Sequence, residues 1–275
     1  TNRSDNTSIT NTVLVDLCSM RPIITYLGVV LLVLASVGYG VAAVPQADAG
    51  EGTLTIHYIN TDYGMSTLVV GPSGETMLVD TAGHEGERQV VEYLRRSGID
   101  RIDHLVATHA HEGHVGGHDA VIEFFESERG GVGTAYDPGI GRSIDFYREY
   151  LDAVKNHSID RVQLRRGDRI PLDGVTVSVL SPPGKALADG NLNENSLVLR
   201  VEFGETSFLL VGDAGAAAEE FLLETDAESL NVSVLQVGKE GSADGSTAAF
   251  LDAVSPMAVV INGGAHGLED RPGVA

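Results

Sequence analysis

The sequence predicts an α/β protein built from two halves stacked sheet on sheet with helices outside, a four-layer αββα sandwich. Two observations carry that expectation. Each half opens with consecutive apolar or alternating runs bounded by Gly, Pro, Asp or Ser turns, and continues with strand–helix units. No segment repeats itself at the 20–50-residue period of a solenoid or propeller, yet the halves are built alike, and two such halves can stack sheet on sheet.

The first half begins with "TLTIHYIN" (53–60), "STLVVG" (66–71) and "ETMLVD" (75–80), the last after a Pro-Ser-Gly turn, and reads as a β-meander. "EGERQVVEYLRRSG" (85–98) has acids in its first turn, Val90, Val91 and Leu94 on one face and Gly98 to end it, which predicts a helix. "IDHLVAT" (102–108) predicts a buried strand, and 119–128 and 145–157 predict two further helices. The second half returns to strands across 161–183, with an Asp-Gly turn inside. A hairpin is expected from 196–203 and 206–213, then a helix at 215–224, a strand at 232–237, a helix at 246–254 and a strand at 258–261.

Composition bounds the function. The 275 residues are 43% hydrophobic, enough to bury a real core, and carry a formal net charge of −21 spread along the chain. Dispersed acid suits work in high salt and disfavours a polyanionic partner at low salt. One cysteine, Cys18, excludes a disulfide framework and a Cys-rich zinc module. The order of segments is a polar N-terminal stretch (1–22), an apolar one (23–44), a linker (45–52) and a folded domain (53–275). "IITYLGVVLLVLASVGYGVAAV" holds no charge over its 22 residues, long enough to cross a bilayer, with Arg21 before it and Asp48 and Glu51 after it. A membrane anchor with the domain outside the cytoplasm is expected, and a cleaved signal within 20–49 is the alternative. The polar start before Met20 also allows a true beginning at Met20-Arg21.

The chemistry centres on "THAHEGHVGG" (108–117), at the C-terminal end of a predicted strand, where open α/β sheets place their ligands. His109, His111 and His114 take three of the nine histidines within six residues, and imidazoles converging from such a loop suit Zn²⁺ with an open position for water. A solvated His-rich turn is the bland alternative. "HEGH" is one residue short of a zincin pair, and Gly113, Gly116 and Gly117 argue against the helix that motif needs. Asp213 ends "FLLVGDAG", where it either bridges metals or caps the helix that follows. Asp80 in "MLVDTAGH" has the same choice between orienting a ligand loop and shaping a turn.

Taken in order, "LTIHYINTDYGMSTLVV", "TMLVDTAG", "IDHLVATHAHEGHVGG", "NENSLVLRVEFGETSFLLVGDA" and "VGKEGSADGSTAAFLDAVSP" resemble the metallo-β-lactamase fold, specifically the extracytoplasmic domain of ComEC-type competence proteins for DNA uptake. The resemblance spans roughly residues 53–262. It implies His109 and His111 as ligands of a first metal, His114 of a second, Asp213 as the bridging carboxylate and Asp80 as the structural aspartate. Asn195 falls at the family's asparagine motif, where other relatives use a histidine ligand. The departures matter as much. Gly113 replaces the second metal's aspartate, Lys239 and Glu240 replace two histidines, and Met65 stands at a usual acid. Glu112 and Glu240 are the nearest substitute carboxylates. His266 matches a late histidine, nine residues before a C-terminal end that lacks the family's final helix. The family's many-helix channel has no counterpart here, so a stand-alone domain is expected.

The expectation is a reduced site: one zinc rather than two, with manganese fitting the same donors. An exported metal-dependent hydrolase cleaving a phosphodiester or other ester, DNA among the candidates, is the leading reading. A catalytically impaired exported binding protein of the same fold is the alternative.

Overall fold

The computed structural model describes residues 52–61, 64–141, 143–242 and 245–262, and the backbone alone of Glu240. The expected anchor at 23–44, most of the linker and His266 lie outside the described residues. Among the described residues no helix is long and apolar enough to cross a membrane.

Among the described residues, twelve strands form two six-stranded sheets. The first runs β1 (Thr55–Tyr58), β2 (Thr67–Val70), β3 (Thr76–Val79), β4 (Ile102–Val106), β5 (Val132–Asp137) and β6 (Asp160–Gln163) in sequence order. β1 to β3 are antiparallel, and β3 to β6 are parallel. The second runs β7 (Arg169–Leu172), β8 (Val175–Ser181), β9 (Val198–Phe203), β10 (Thr206–Leu210), β11 (Val234–Gln236) and β12 (Ala258–Val260), antiparallel through β10 and parallel beyond. Strands followed by strand–helix units are found in both halves, but β6, expected to open the second half, closes the first sheet beside β5.

Alternation along the strands explains the layers, since successive side chains face opposite sides of a sheet. Val69, Met77, Val79, Val106 and Tyr136 meet Val177, Val179, Leu199, Val201 and Leu210 in a core between the sheets. Their neighbours Leu68, Leu78, Leu105 and Ala135 turn outward under α1 (Glu87–Arg96), α3 (His118–Glu128) and α4 (Asp145–Asn156). Leu209 and Leu235 do the same under α5 (Ala216–Thr225) and α7 (Ala248–Val254). In α1, Val90 and Leu94 are the buried i, i+4 pair, each contributing about 1.5–3 kcal/mol by burial. Glu87 and the Arg95–Arg96 pair complement the helix dipole at its two ends.

Three elements lie outside the expectation. β5 was not predicted, because "GGVGTAYDPGIG" (130–141) reads as a glycine-rich loop. Gly133 is there for space: a Cβ would meet the Asp103 carbonyl oxygen of β4 at 2.4 Å. β5 ends on Asp137, fully buried and bound by Arg161 (Nε 2.5 Å, Nη2 2.6 Å), Tyr147 (2.6 Å) and Tyr150 (3.1 Å). That satisfied cluster ties β5 to β6 and α4. The second departure is a helical turn, α2 (Glu112–Val115), inside the histidine motif, where the glycines were read as helix-breaking. Gly116 and Gly117 instead permit close approach, since Cβ atoms there would meet Gly83 Cα at 3.1 Å and the Thr81 carbonyl oxygen at 2.5 Å. α6 (Ala227–Leu230), one further turn, was also not predicted.

Candidate metal centre

Parallel pairing brings the functional loops to one edge. β3 and β4 are parallel, so Asp80 and the histidine motif leave the first sheet together. β10 and β11 are parallel, so Asp213 and Lys239 leave the second sheet together. Leu197 N–H donates to the Thr108 carbonyl oxygen at 2.9 Å, joining the halves beside the cluster.

Asp80 organises the first half of the site. Its backbone is left-handed (φ 59°), a conformation aspartate tolerates better than most residues. The buried carboxylate accepts from Thr108 N–H (2.8 Å), from the Thr108 hydroxyl (2.7 Å) and from His114 Nδ1 (2.7 Å). Thr108 then fixes the next histidine. Its single hydroxyl proton goes to Asp80, so its 3.1 Å contact with His109 makes the hydroxyl the acceptor of Nδ1–H. This leaves the lone pair on His109 Nε2.

That atom is the telling one. His109 is 1% exposed, and its Nε2 has no hydrogen-bond partner. It faces Asp213 Oδ2 at 3.6 Å, too long for a hydrogen bond and with no proton between the two acceptors. Burial, and secondarily the charge of His114, lower the His109 pKa to about 4, so the ring is neutral. His111 comes from the same loop, its ring centroid 4.8 Å from that of His109, and it is exposed on the open side. One ligand atom each from His109, His111 and Asp213 lies within 4.8 Å of the others. A buried lone pair, a second imidazole and a carboxylate aimed at a common point suit a divalent cation.

His114 stands apart from that trio. It is pinned between Asp80 and, through Nε2 at 3.4 Å, Asp213 Oδ1. Burial alone would lower its pKa, but the two carboxylates hold it up to about 10. Burial would raise Asp213, whereas His114 and His109 pull it far below the usual carboxylate range. Asp213 does not cap α5, the alternative open from sequence. Gly215 is the N-cap residue, and Glu194 supplies the carboxylate, accepting from Ala218 N–H at 2.9 Å. Asp213 instead accepts from Lys239 N–H at 2.9 Å, and its own N–H donates to Ser196 Oγ at 3.2 Å.

The other residues singled out fall as follows. Asn195 is buried and spends its amide on the 187–195 loop, bonding Leu187 N–H and the Leu187 and Asn191 carbonyls. Gly113 is buried in α2, and its carbonyl accepts from buried Met65 N–H at 2.9 Å. Glu112 joins neither group of candidate ligands found among the described residues, and the Glu240 side chain lies outside them. The second such group, His84, Glu87 and Asp119, is at the surface between helices. Sequence reasoning missed Thr108, Ser196, Glu194 and His118. His118 is buried, with Nδ1 2.7 Å from Thr81 Oγ1 beneath the Asp80 loop.

The profile of the "Metallo-beta-lactamase superfamily" matches residues 59–263. The chain belongs to that superfamily. Among curated proteins it is similar to ComE operon protein 3 of Bacillus subtilis, 25% identical over 68% of this chain and 23% of that protein. It is 30% identical to competence protein ComA of Neisseria gonorrhoeae over 86% of this chain and 30% of that protein. The chain thus spans about a quarter of the length of these relatives. Among solved structures, the metallo-beta-lactamase fold protein YhfI of Bacillus subtilis superposes with a TM-score of 0.51 at 10% identity, covering 75% of this chain and 85% of that one. Human tRNase Z, short form, gives 0.50 at 11% identity over 75% and 92%. These two likenesses speak to the fold.

Proposed function

We propose that this superfamily member is a hydrolase of phosphodiesters that works with one divalent metal, zinc or manganese, held by His109, His111 and Asp213. The observation that carries the reading is the buried His109 Nε2, left without a proton or a partner by Thr108 and pointing at an equally unprotonated Asp213 oxygen. A metal bound there supplies Lewis acidity and brings the pKa of water at an open position toward neutrality. The chain's own residues do the rest. Asp80 locks Thr108 and His114, Thr108 sets the His109 tautomer, and exposed His111 leaves the substrate side open. The missing side chain at Gly113 favours one metal over two. The relative named competence protein ComA supports DNA as the phosphodiester, whereas the net charge of −21 gives that substrate no support at low salt. The full chain, purified in detergent, is expected to carry about one metal and to cleave bis(p-nitrophenyl) phosphate in a reaction that chelation stops and metal restores. Full metal occupancy without turnover of any diester would instead favour a binding protein of the same fold.

We further propose that the domain works outside the cytoplasm, carried there by residues 23–44. The uncharged run and the Arg21/Asp48 asymmetry support this. A reporter fused to the C-terminus is expected to be active on the exported side alone, and activity of a cytoplasm-only reporter would refute it.

A further inference from the structure

We propose that His84, Glu87 and Asp119, with Glu149 beside them, hold a separate and exchangeable divalent cation of the zinc type, which braces the loop carrying the histidines of the first site. This second centre stands whether or not the first one turns over a substrate.

The donors come from four places in the chain and converge. One ligand atom each from His84, Glu87 and Asp119 lies within 4.8 Å of the others. His84 Nδ1 is 3.0 Å from Glu87 Oε2, and its Nε2 is 3.4 Å from Glu149 Oε2. Phe146 of α4 meets the imidazole edge-on, with centroids 5.2 Å apart, and so sets the plane of the ring. Glu87 and Asp119 sit in the first turns of α1 and α3, where acids complement the helix dipole without any metal. The dipole explains neither Glu149, in the middle of α4, nor a histidine turned toward carboxylates on two helices. Among the described residues no lysine or arginine forms an ion pair with Glu87, Asp119 or Glu149, and Arg148, next to Glu149, is paired with Asp145.

The surroundings favour a cation and leave it room. Asp119 and Glu149 line a cleft of about 430 Å³ between α3 and α4, whose walls add Glu123 and Asp152 and contain no lysine or arginine. Carboxylates gathered in a cleft focus a negative potential and draw counter-ions into it. An imidazole among the oxygens selects zinc, cobalt or manganese over calcium and magnesium. His84 is exposed, and Glu87 and Asp119 are half-buried, so this ion exchanges with solvent and leaves on gel filtration. The metal isolated with the protein is then that of the first site.

A cation here would act on the first site through packing. A Cβ on Gly116 would stand 3.1 Å from Gly83 Cα and 3.2 Å from His84 N, and one on Gly117 would stand 2.9 Å from Glu87 Cβ. The 83–87 segment therefore lies against the turn that leaves α2, directly after His114. An ion joining that segment to α3 and α4 clamps it over Gly116 and Gly117.

The test uses full chains carrying His109→Ala and His111→Ala, stripped with chelator and titrated with zinc by calorimetry. The double variant is expected to take up about one zinc per chain. Adding His84→Ala should weaken that uptake at least about tenfold, and Asp119→Asn should weaken it as well. Zinc should raise the unfolding temperature of the double variant and not of the triple one. Excess calcium should leave the zinc in place. His84→Ala in an otherwise wild-type chain should keep the metal isolated with the protein, and losing it would mean that His84 serves the first site. No uptake by the double variant, equal affinity with and without His84, or calcium displacing zinc as an equal competitor would each overturn the proposal. Should the triple variant fail to fold, Asp119→Asn on the double background decides, because unchanged affinity there refutes the site.

Discussion

Replacing His109 and His111 together with alanine is expected to abolish bound metal and reduce diester cleavage to background, while unfolding stays cooperative. His109 Nε2 has no partner within the protein, so its removal forfeits a ligand without breaking a hydrogen bond at that atom. The lost contacts are Nδ1 to Thr108 and the packing of a buried ring, and His111 is exposed. A cost of about 1–3 kcal/mol in the metal-free protein is expected, visible as a shifted denaturation midpoint with an unchanged slope. Asp80 keeps its bonds to Thr108 and His114, so the loop retains its anchor. Metal analysis after gel filtration reads the result directly. Metal content equal to wild type in the double variant would mean that the histidines form only a polar turn.

That experiment bears on residues the sequence had already marked, and the contrast with what it hid is physical. Spacing of three histidines at a strand end, and Asp80 and Asp213 at the ends of two apolar strands, were legible because the relevant loops leave adjacent parallel strands. The choice between roles for Asp213 was not legible. The N-cap of α5 is supplied from Glu194, 24 residues before Ala218, and no local pattern reveals a cap delivered across the fold. Thr108 escaped notice because its importance lies in a single proton divided between Asp80 and His109. β5 was hidden by glycines that make it look like a loop, although Gly133 is there so that β4 can approach. Local composition marks a backbone as permissive, and only the neighbouring strand shows what the permission is used for. The same holds for Gly116 and Gly117, which read as helix breakers and act as contact points for the 81–84 segment.

Gly113 is the position where restoring one side chain should change the site most. It lies in the first turn of α2 with helical backbone, so aspartate there meets no demand for a left-handed φ. Intrinsically the change is favourable, because glycine costs a helix about 1 kcal/mol relative to alanine and an acid in the first turn complements the dipole. The opposing term is space. Gly113 is buried, and a Cβ on the facing Gly64 would collide with its carbonyl, so the two segments are already in backbone contact beside buried Met65. If the loop accommodates the carboxylate, the new ligand joins His114 Nε2 and Asp213 Oδ1, which stand 3.4 Å apart, and is worth on the order of several kcal/mol to a second cation. Gly113→Asp is therefore expected to raise metal content from about one per chain toward two and to increase diester turnover. Lys239 then limits the gain, since an ammonium near a second cation repels it. Gly113→Asp with Lys239→His should exceed either single change, the non-additivity expected of coupled neighbours. Two metals already bound in wild type at full activity would refute this account of the site. So would a folded Gly113→Asp protein with neither added metal nor added rate, because the side chain at 113 would then not be what the second metal lacks.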